Sequence, residues 1–231
     1  TGVPIVEDNA QGIGARWFGA AGQRGDAPMT GTMGALGTTS FFPSKNLGCA
    51  GDGGAVFTND DALAERVAMC ANHGMKQRYH HEVIGINSRL DTVQAALLRV
   101  KLPHLDRWND ARRAAADRYD ANFAGVASIR TPYRDPRATH VFHQYTLRLA
   151  DGVDRDGCVA ALAVAGVPSG VYYPVPGHRQ AAFEQWGLAS IHQPQSDILA
   201  RQVISLPMHP ELTALEQDYI SDQVLTFVLQ N

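Results

Sequence analysis

Residues 3–8, Val-Pro-Ile-Val-Glu-Asp, form an apolar run ending on two carboxylates, the pattern of a buried strand. Residues 36–42 and 53–58 read as two more strands. Residues 12–39 are rich in Gly, Thr and Ala, and residues 19–31 read as a loop or hairpin. Asn59-Asp60-Asp61 supplies a helix N-cap, so the spacing predicts a helix over 61–72. Residues 73–86, with Gly74 and Gly85 around a polar, aromatic middle, read as an irregular loop. Leu90, Val93, Ala96, Leu97 and Val100 have helical spacing, which predicts a helix over 88–102. Pro103 marks a turn or a new helix start, and residues 108–123 form a second helix. After Gly125 the texture changes. Residues 140–149 alternate as a strand, 154–165 are helical, 170–173 are a short strand and 181–186 a short helix. Further helices cover 195–203 and 213–229. The order predicts a mostly parallel α/β unit over residues 1–105, then a small α+β unit over 106–231.

Composition narrows the function classes. The 231 residues carry a net charge of −3, and no basic run is interleaved with aromatics, which argues against nucleic acid as a partner. Cys49, Cys70 and Cys158 are far apart and match neither a zinc spacing nor a disulfide framework, so a reducing cytoplasm is expected. No apolar run reaches the roughly 20 residues that span a bilayer, so no membrane association is expected. The chain opens without Met, almost directly into a strand that needs neighbours on both faces. The C-terminal part of a longer protein, lacking part of its large domain, is therefore expected.

Lys45 stands alone among apolar and small residues, just before the glycine run of residues 48–54. Burying an ammonium is costly, so such a lysine points to a covalent partner. Asp8 ends the first strand. A buried lysine and a carboxylate at a strand's C-terminal end suggest a pyridoxal phosphate site, with Lys45 as the Schiff-base residue and Asp8 on the pyridine nitrogen. Glu7 would face the other side of the strand.

Four segments occur in an order that identifies a family. They are Glu7-Asp8-Asn9-Ala10-Gln11, residues 40–54 (Ser-Phe-Phe-Pro-Ser-Lys-Asn-Leu-Gly-Cys-Ala-Gly-Asp-Gly-Gly), Gly85-Ile86-Asn87-Ser88-Arg89-Leu90-Asp91 and Val171-Tyr172-Tyr173-Pro174-Val175-Pro176. Together the chain resembles the pyridoxal-phosphate-dependent sugar aminotransferases of the DegT/DnrJ/EryC1/StrS group, which have the aspartate aminotransferase fold (fold type I). The resemblance implies transfer of an amino group, from glutamate, to a keto group of a nucleotide-linked sugar. The segment around Lys45 is most similar to members acting on UDP-linked N-acetylated sugars, in polysaccharide or amino-sugar biosynthesis. It further implies that Gln11 lies beside the cofactor ring and that Ser40 binds its phosphate. Asn87 would reach the phosphate of a neighbouring subunit, making the protein a homodimer with shared sites.

Each role has a plainer counterpart. Asp8 could cap a loop, Gln11 face solvent, Ser40 sit in a core strand, and Asn87 cap the next helix. Arg89 would bind an anionic substrate, position Asn87, or form a structural salt bridge. His178 would touch the sugar or lie at the surface. Gly48, Gly51, Gly53 and Gly54 match no phosphate-binding fingerprint and read as a tight loop. Ala50 stands where relatives often carry an aromatic, and Gly177 where they often carry leucine before the histidine. His73, His80 and His81 do not have metal-ligand spacing, so no metal is expected. A sugar dehydratase of the same group would replace the lysine with histidine, and Lys45 argues against it. A truncated chain without activity is the other alternative.

Overall fold

Val6–Asp8 forms strand β1, Leu36–Ser40 β2 and Gly54–Phe57 β3 of one sheet, in that order. The computed structural model describes residues 2–19 and 27–230. Residues 20–26 of the hairpin or loop read over 19–31 thus lie outside the described residues. The chain divides into two units, Thr1–Asp110 with Arg134–His143, and Ala111–Tyr133 with Gln144–Asn231.

In the first unit β1 and β2 run parallel, with Val6 opposite Leu36 and Asp8 opposite Thr38. β2 and β3 run antiparallel, with Gly37 opposite Phe57 and Ser40 opposite Gly54. This corrects the expectation of a mostly parallel sheet, since every other strand pair of the fold is also antiparallel. The physical reason lies in residues 41–53, which hold no helix and cannot make the long crossover a parallel return requires. β1 is also shorter and less buried than its apolar run predicts. Val3, Ile5 and Val6 are exposed, Val6 by 60%, because β1 is the outer strand of this sheet.

Helix α1, Asp61–Ala71, starts where predicted, and Asp60 Oδ1 accepts the Ala62 and Leu63 N–H groups at 2.8 and 3.0 Å. The segment read as an irregular loop holds a hairpin, β4 (Met75–Gln77) against β5 (His80–His81). Helix α2 is Thr92–Lys101, shorter than predicted, and a 3-10 turn over Leu102–His104 leads into α3, Leu105–Asn122. Phe41, Leu47, Cys49, Leu98 and Leu105 form a buried cluster of this unit.

In the second unit β6 (Ile129–Arg130), β7 (Tyr145–Leu149) and β8 (Val203–Leu206) form an antiparallel sheet in that order. Tyr145, Leu147 and Leu149 alternate into its core. Helix α4, Arg155–Val164, packs on β8 and on α6, Ala214–Gln230, while α5, Pro194–Gln202, packs on β7. Ile220, Val224 and Val228 give α6 its buried stripe, and Cys158 and Leu162 face inward from α4. Thr213 and Glu216 cap α6 reciprocally, each accepting the other's backbone N–H. The Tyr119 and Tyr145 rings meet at a tilt with centroids 4.9 Å apart, and burial pushes the Tyr119 phenol pKa up while its hydroxyl donates to the Pro207 carbonyl at 3.0 Å. The strand predicted at 170–173 is reduced to one bridge, Gly170 to Ser205, and the one predicted over 140–149 begins at Tyr145. Among the described residues no helix is long and apolar enough to cross a membrane.

Candidate active site

Asp8 and Ser40 are the last residues of β1 and β2, so the parallel pair brings both to one carboxyl edge. Ligands of open α/β sheets gather at such an edge. Lys45 follows in the turn after β2, where its N–H donates to the Phe42 carbonyl at 2.9 Å. The side chain is half-buried, and among the described residues its ammonium has neither a hydrogen bond nor an ion pair. Gln11 lies exposed on the turn after β1, also with no side-chain partner among the described residues.

The other candidates are each held at one end and open at the other. Asp8 Oδ1 accepts the Ala10 N–H at 3.0 Å, which leaves Oδ2 as an outward acceptor. Ser40 Oγ accepts the Phe42 N–H at 3.2 Å, which leaves its proton to donate. Asn87 Oδ1 accepts Arg89 Nε at 3.0 Å, so its NH2 group points away as a donor. Arg89 also donates to Asn72 Oδ1 at 3.2 Å. Of the three readings of Arg89, these bonds match the one in which it positions Asn87. Asn87 is not the cap of α2, because Asp91 occupies that position. No hydrogen bond among the described residues joins Asn87 or Arg89 to the Lys45 group. His178 belongs to the second unit, in a 3-10 turn over Gly177–Arg179. Its Nε2 lies 3.9 Å from Asp197 Oδ1, and Arg179 grips the same carboxylate at 2.5 and 2.7 Å. That pairing holds the Asp197 carboxyl below its ordinary range.

Glu7 faces away from Asp8 and has a role that the sequence did not reveal. Its carboxylate accepts the N–H groups of Gly31, Met33 and Gly34 at 2.8, 2.5 and 2.5 Å. Burial pushes this carboxyl up, but the three N–H donors outweigh it and the net shift is downward. A carboxyl lowered on folding stabilises the native state above its unfolded pKa, and that contribution disappears as pH falls through the folded value. Glu7→Gln is therefore expected to cost about 1–2 kcal/mol at neutral pH, discounted for exposure, and the difference should vanish in acid below the ordinary carboxyl range. Urea titrations of both proteins across that range check this. A cost independent of pH would contradict it.

Gly48 shows why the loop needs glycine. An added Cβ would stand 2.5 Å from the Pro43 carbonyl and 2.7 Å from that of Phe42. The loop is tight because the chain packs on itself here. An open groove of about 1330 Å³ lies between β3 and α1 in the first unit; of the candidate residues Arg89 lines it, while Lys45, Asp8, Gln11, Ser40 and Asn87 do not. Sequence reasoning passed over Asn46 and Asn109, both buried. The available signal was a lone amide between Lys45 and an apolar stretch.

The donor set has a definite chemistry: a free amine, an outward carboxylate oxygen, a hydroxyl proton and unengaged amides. It suits a molecule with an aldehyde, a ring N–H and a phosphate, and pyridoxal phosphate has all three. The family model for the "DegT/DnrJ/EryC1/StrS aminotransferase family" matches residues 1–225, and the chain belongs to that family. It is 44% identical over 211 residues to the UDP-N-acetyl-3-dehydro-alpha-D-glucosamine 3-aminotransferase of Acidithiobacillus ferrooxidans, covering 91% of this chain and 53% of that one. It is 42% identical over 228 residues to the "pleiotropic regulatory protein" of Geobacillus stearothermophilus, covering 98% and 58%. The structure of S. venezuelae DesV in complex with a ketimine intermediate superposes with a TM-score of 0.88 at 41% identity, covering 98% of this chain and 58% of that one. Where a C-terminal fragment with a partial large domain was expected, the matches follow the family and its fold over nearly the whole of this chain. The chain spans 53–58% of the length of these relatives.

Proposed function

We propose that this protein is a pyridoxal-phosphate-dependent aminotransferase that passes an amino group from glutamate to a keto group of a nucleotide-linked sugar. The observation that carries this reading is Lys45, a half-buried amine with no partner among the described residues, in the turn after the carboxyl end of β2. Family membership and the activity in the name of the A. ferrooxidans relative support it. That relative's name also supports a UDP-linked N-acetylated sugar as the substrate. Lys45 argues against the dehydratase reading.

Bound pyridoxal phosphate would supply an electron sink for the carbon that loses its proton. Lys45 would hold its aldehyde carbon and, once released, move a proton at the substrate carbon through Nζ. Asp8 Oδ2 would face the ring N–H and keep it charged. Ser40 would donate to the phosphate, and Gln11 would bond the ring's polar edge. Asn87 of a second copy would add a donor to the phosphate. Asp8→Asn is expected to slow amine transfer from glutamate to the UDP-linked ketone by about 10²-fold or more. An unchanged rate would remove Asp8 from the site.

A homodimer fits the surface of α2. Val93, Leu97 and Val100 follow one helical stripe and are 71%, 39% and 71% exposed. Ile86, beside Asn87 in the chain, is also exposed. Val93→Glu with Val100→Glu should convert a sedimenting dimer to monomer. A wild-type chain that sediments as a monomer would exclude shared sites. The thiols of Cys49, Cys70 and Cys158 are all free, which supports a reducing cytoplasm as the compartment.

A further inference from the structure

The residue after Lys45 buries its amide instead of exposing it. Asn46 is 7% exposed, and its Nδ2 donates to Asn109 Oδ1 at 2.8 Å and to the Val141 carbonyl at 2.9 Å. Asn109, 1% exposed, donates its own Nδ2 to the Ile13 carbonyl at 3.1 Å. The direction of this row is fixed, because the Val141 and Ile13 carbonyls can only accept. Flipping either amide would set oxygen against oxygen. The row ties the segment carrying Lys45 to the turn that follows Asp8 and carries Gln11. Its fit against that turn is close, since an added Cβ at Gly14 would stand 2.6 Å from Asn109 Nδ2.

The row is a costly way to fill a core. Asn46 Oδ1 is buried without a partner, while each amide donates to a backbone carbonyl, Val141 or Ile13, that an apolar side chain would leave without that donor. What apolar packing would not provide is direction between the two segments.

We propose that Asn46 and Asn109 are positioning residues that hold the Lys45 segment in register with the Asp8–Gln11 segment, so that amine and carboxylate address one bound pyridoxal phosphate. The inference rests on the roles given above to Lys45 and Asp8.

The test uses the full chain with pyridoxal phosphate. Borohydride reduction and peptide mass mapping give the rate of labelling at Lys45, and absorbance gives the pH midpoint of the cofactor's visible band. Asn109→Leu cuts the row at both ends. Asn109→Asp keeps an acceptor for Asn46 and loses the donor to Ile13, and it carries the test if Asn109→Leu does not fold. Asn122→Ala is the control for stability alone, because Asn122 donates to Asp218 and Ser221 in the second unit. Asn109→Leu should slow labelling about tenfold and move the midpoint by about one pH unit. Asn109→Asp should fall between it and wild type. Adding Asn46→Leu to Asn109→Leu should do little more. Asn122→Ala should keep both readouts despite a lower melting temperature. Wild-type labelling and midpoint in the Asn109 variants, with only their melting lowered, would make the row merely structural. No labelling of the wild type at Lys45 would instead overturn the reading of the site, and the positioning role with it.

Discussion

Lys45→Ala should lower amine transfer by about 10³-fold or more while leaving the fold intact. The size follows from two tasks resting on one atom, since Nζ would both hold the cofactor and move the proton. The intact fold follows from the structure. The ammonium has no hydrogen bond or ion pair among the described residues, so its removal orphans nothing. Its backbone N–H still donates to the Phe42 carbonyl in the variant. Lys45→Arg separates charge from nucleophilicity. A guanidinium stays protonated, so this variant should be as inactive as the alanine. Steady-state rates and thermal melts on the same preparations check both. Substantial activity in either variant would mean that another amine does the chemistry. A collapsed melt would mean that Lys45 is structural.

Gly37→Ala should destabilise the protein by about 3 kcal/mol or more. Gly37, the second residue of β2, is buried, and an added Cβ would stand 1.8 Å from the Gly31 carbonyl oxygen. Backbone must move, and here it is held. The Glu7 carboxylate binds the Gly31, Met33 and Gly34 N–H groups, and Thr30 Oγ1 donates to Asn9 Oδ1 at 2.7 Å. Relief therefore breaks either that loop or the β1–β2 register that brings Asp8 and Ser40 to one edge. Gly177→Ala is the control, with nothing within 4 Å of the added carbon, and should stay within about 0.5 kcal/mol of wild type. Denaturant unfolding measures both. A Gly37→Ala midpoint matching the control would show that the loop yields freely.

Local signals in the sequence were read well. Asp60 before α1 and the long apolar pattern of α6 place those helices within a residue or two, because caps and periodicity act over a few neighbours. Strand direction was not legible, because it depends on whether residues 41–53 form a crossover, which no short window reports. β8 was not read as a strand, and the helix predicted over 195–203 takes in only its first residue, Val203. Val203 and Ile204 continue a helical apolar pattern as well as they begin a fully buried strand. β5 and β6, each two residues long, carry no periodicity at all. Lys45 and Asp8 stood out because each is chemically odd for its neighbourhood, whereas Ser40 was singled out only by the family resemblance. Asn46 and Asn109 did not stand out, because an asparagine reads as a turn residue until a partner distant in sequence is seen. Glu7 was set aside for its direction, and the structure gives that direction a purpose.

The most direct measurement is the covalent one. The purified chain is mixed with pyridoxal phosphate, reduced with borohydride, digested, and the modified peptide sequenced by mass spectrometry. The account predicts a phosphopyridoxyl group on Lys45, lost in Lys45→Ala. Modification spread over surface lysines, with Lys45 unmodified, would contradict it.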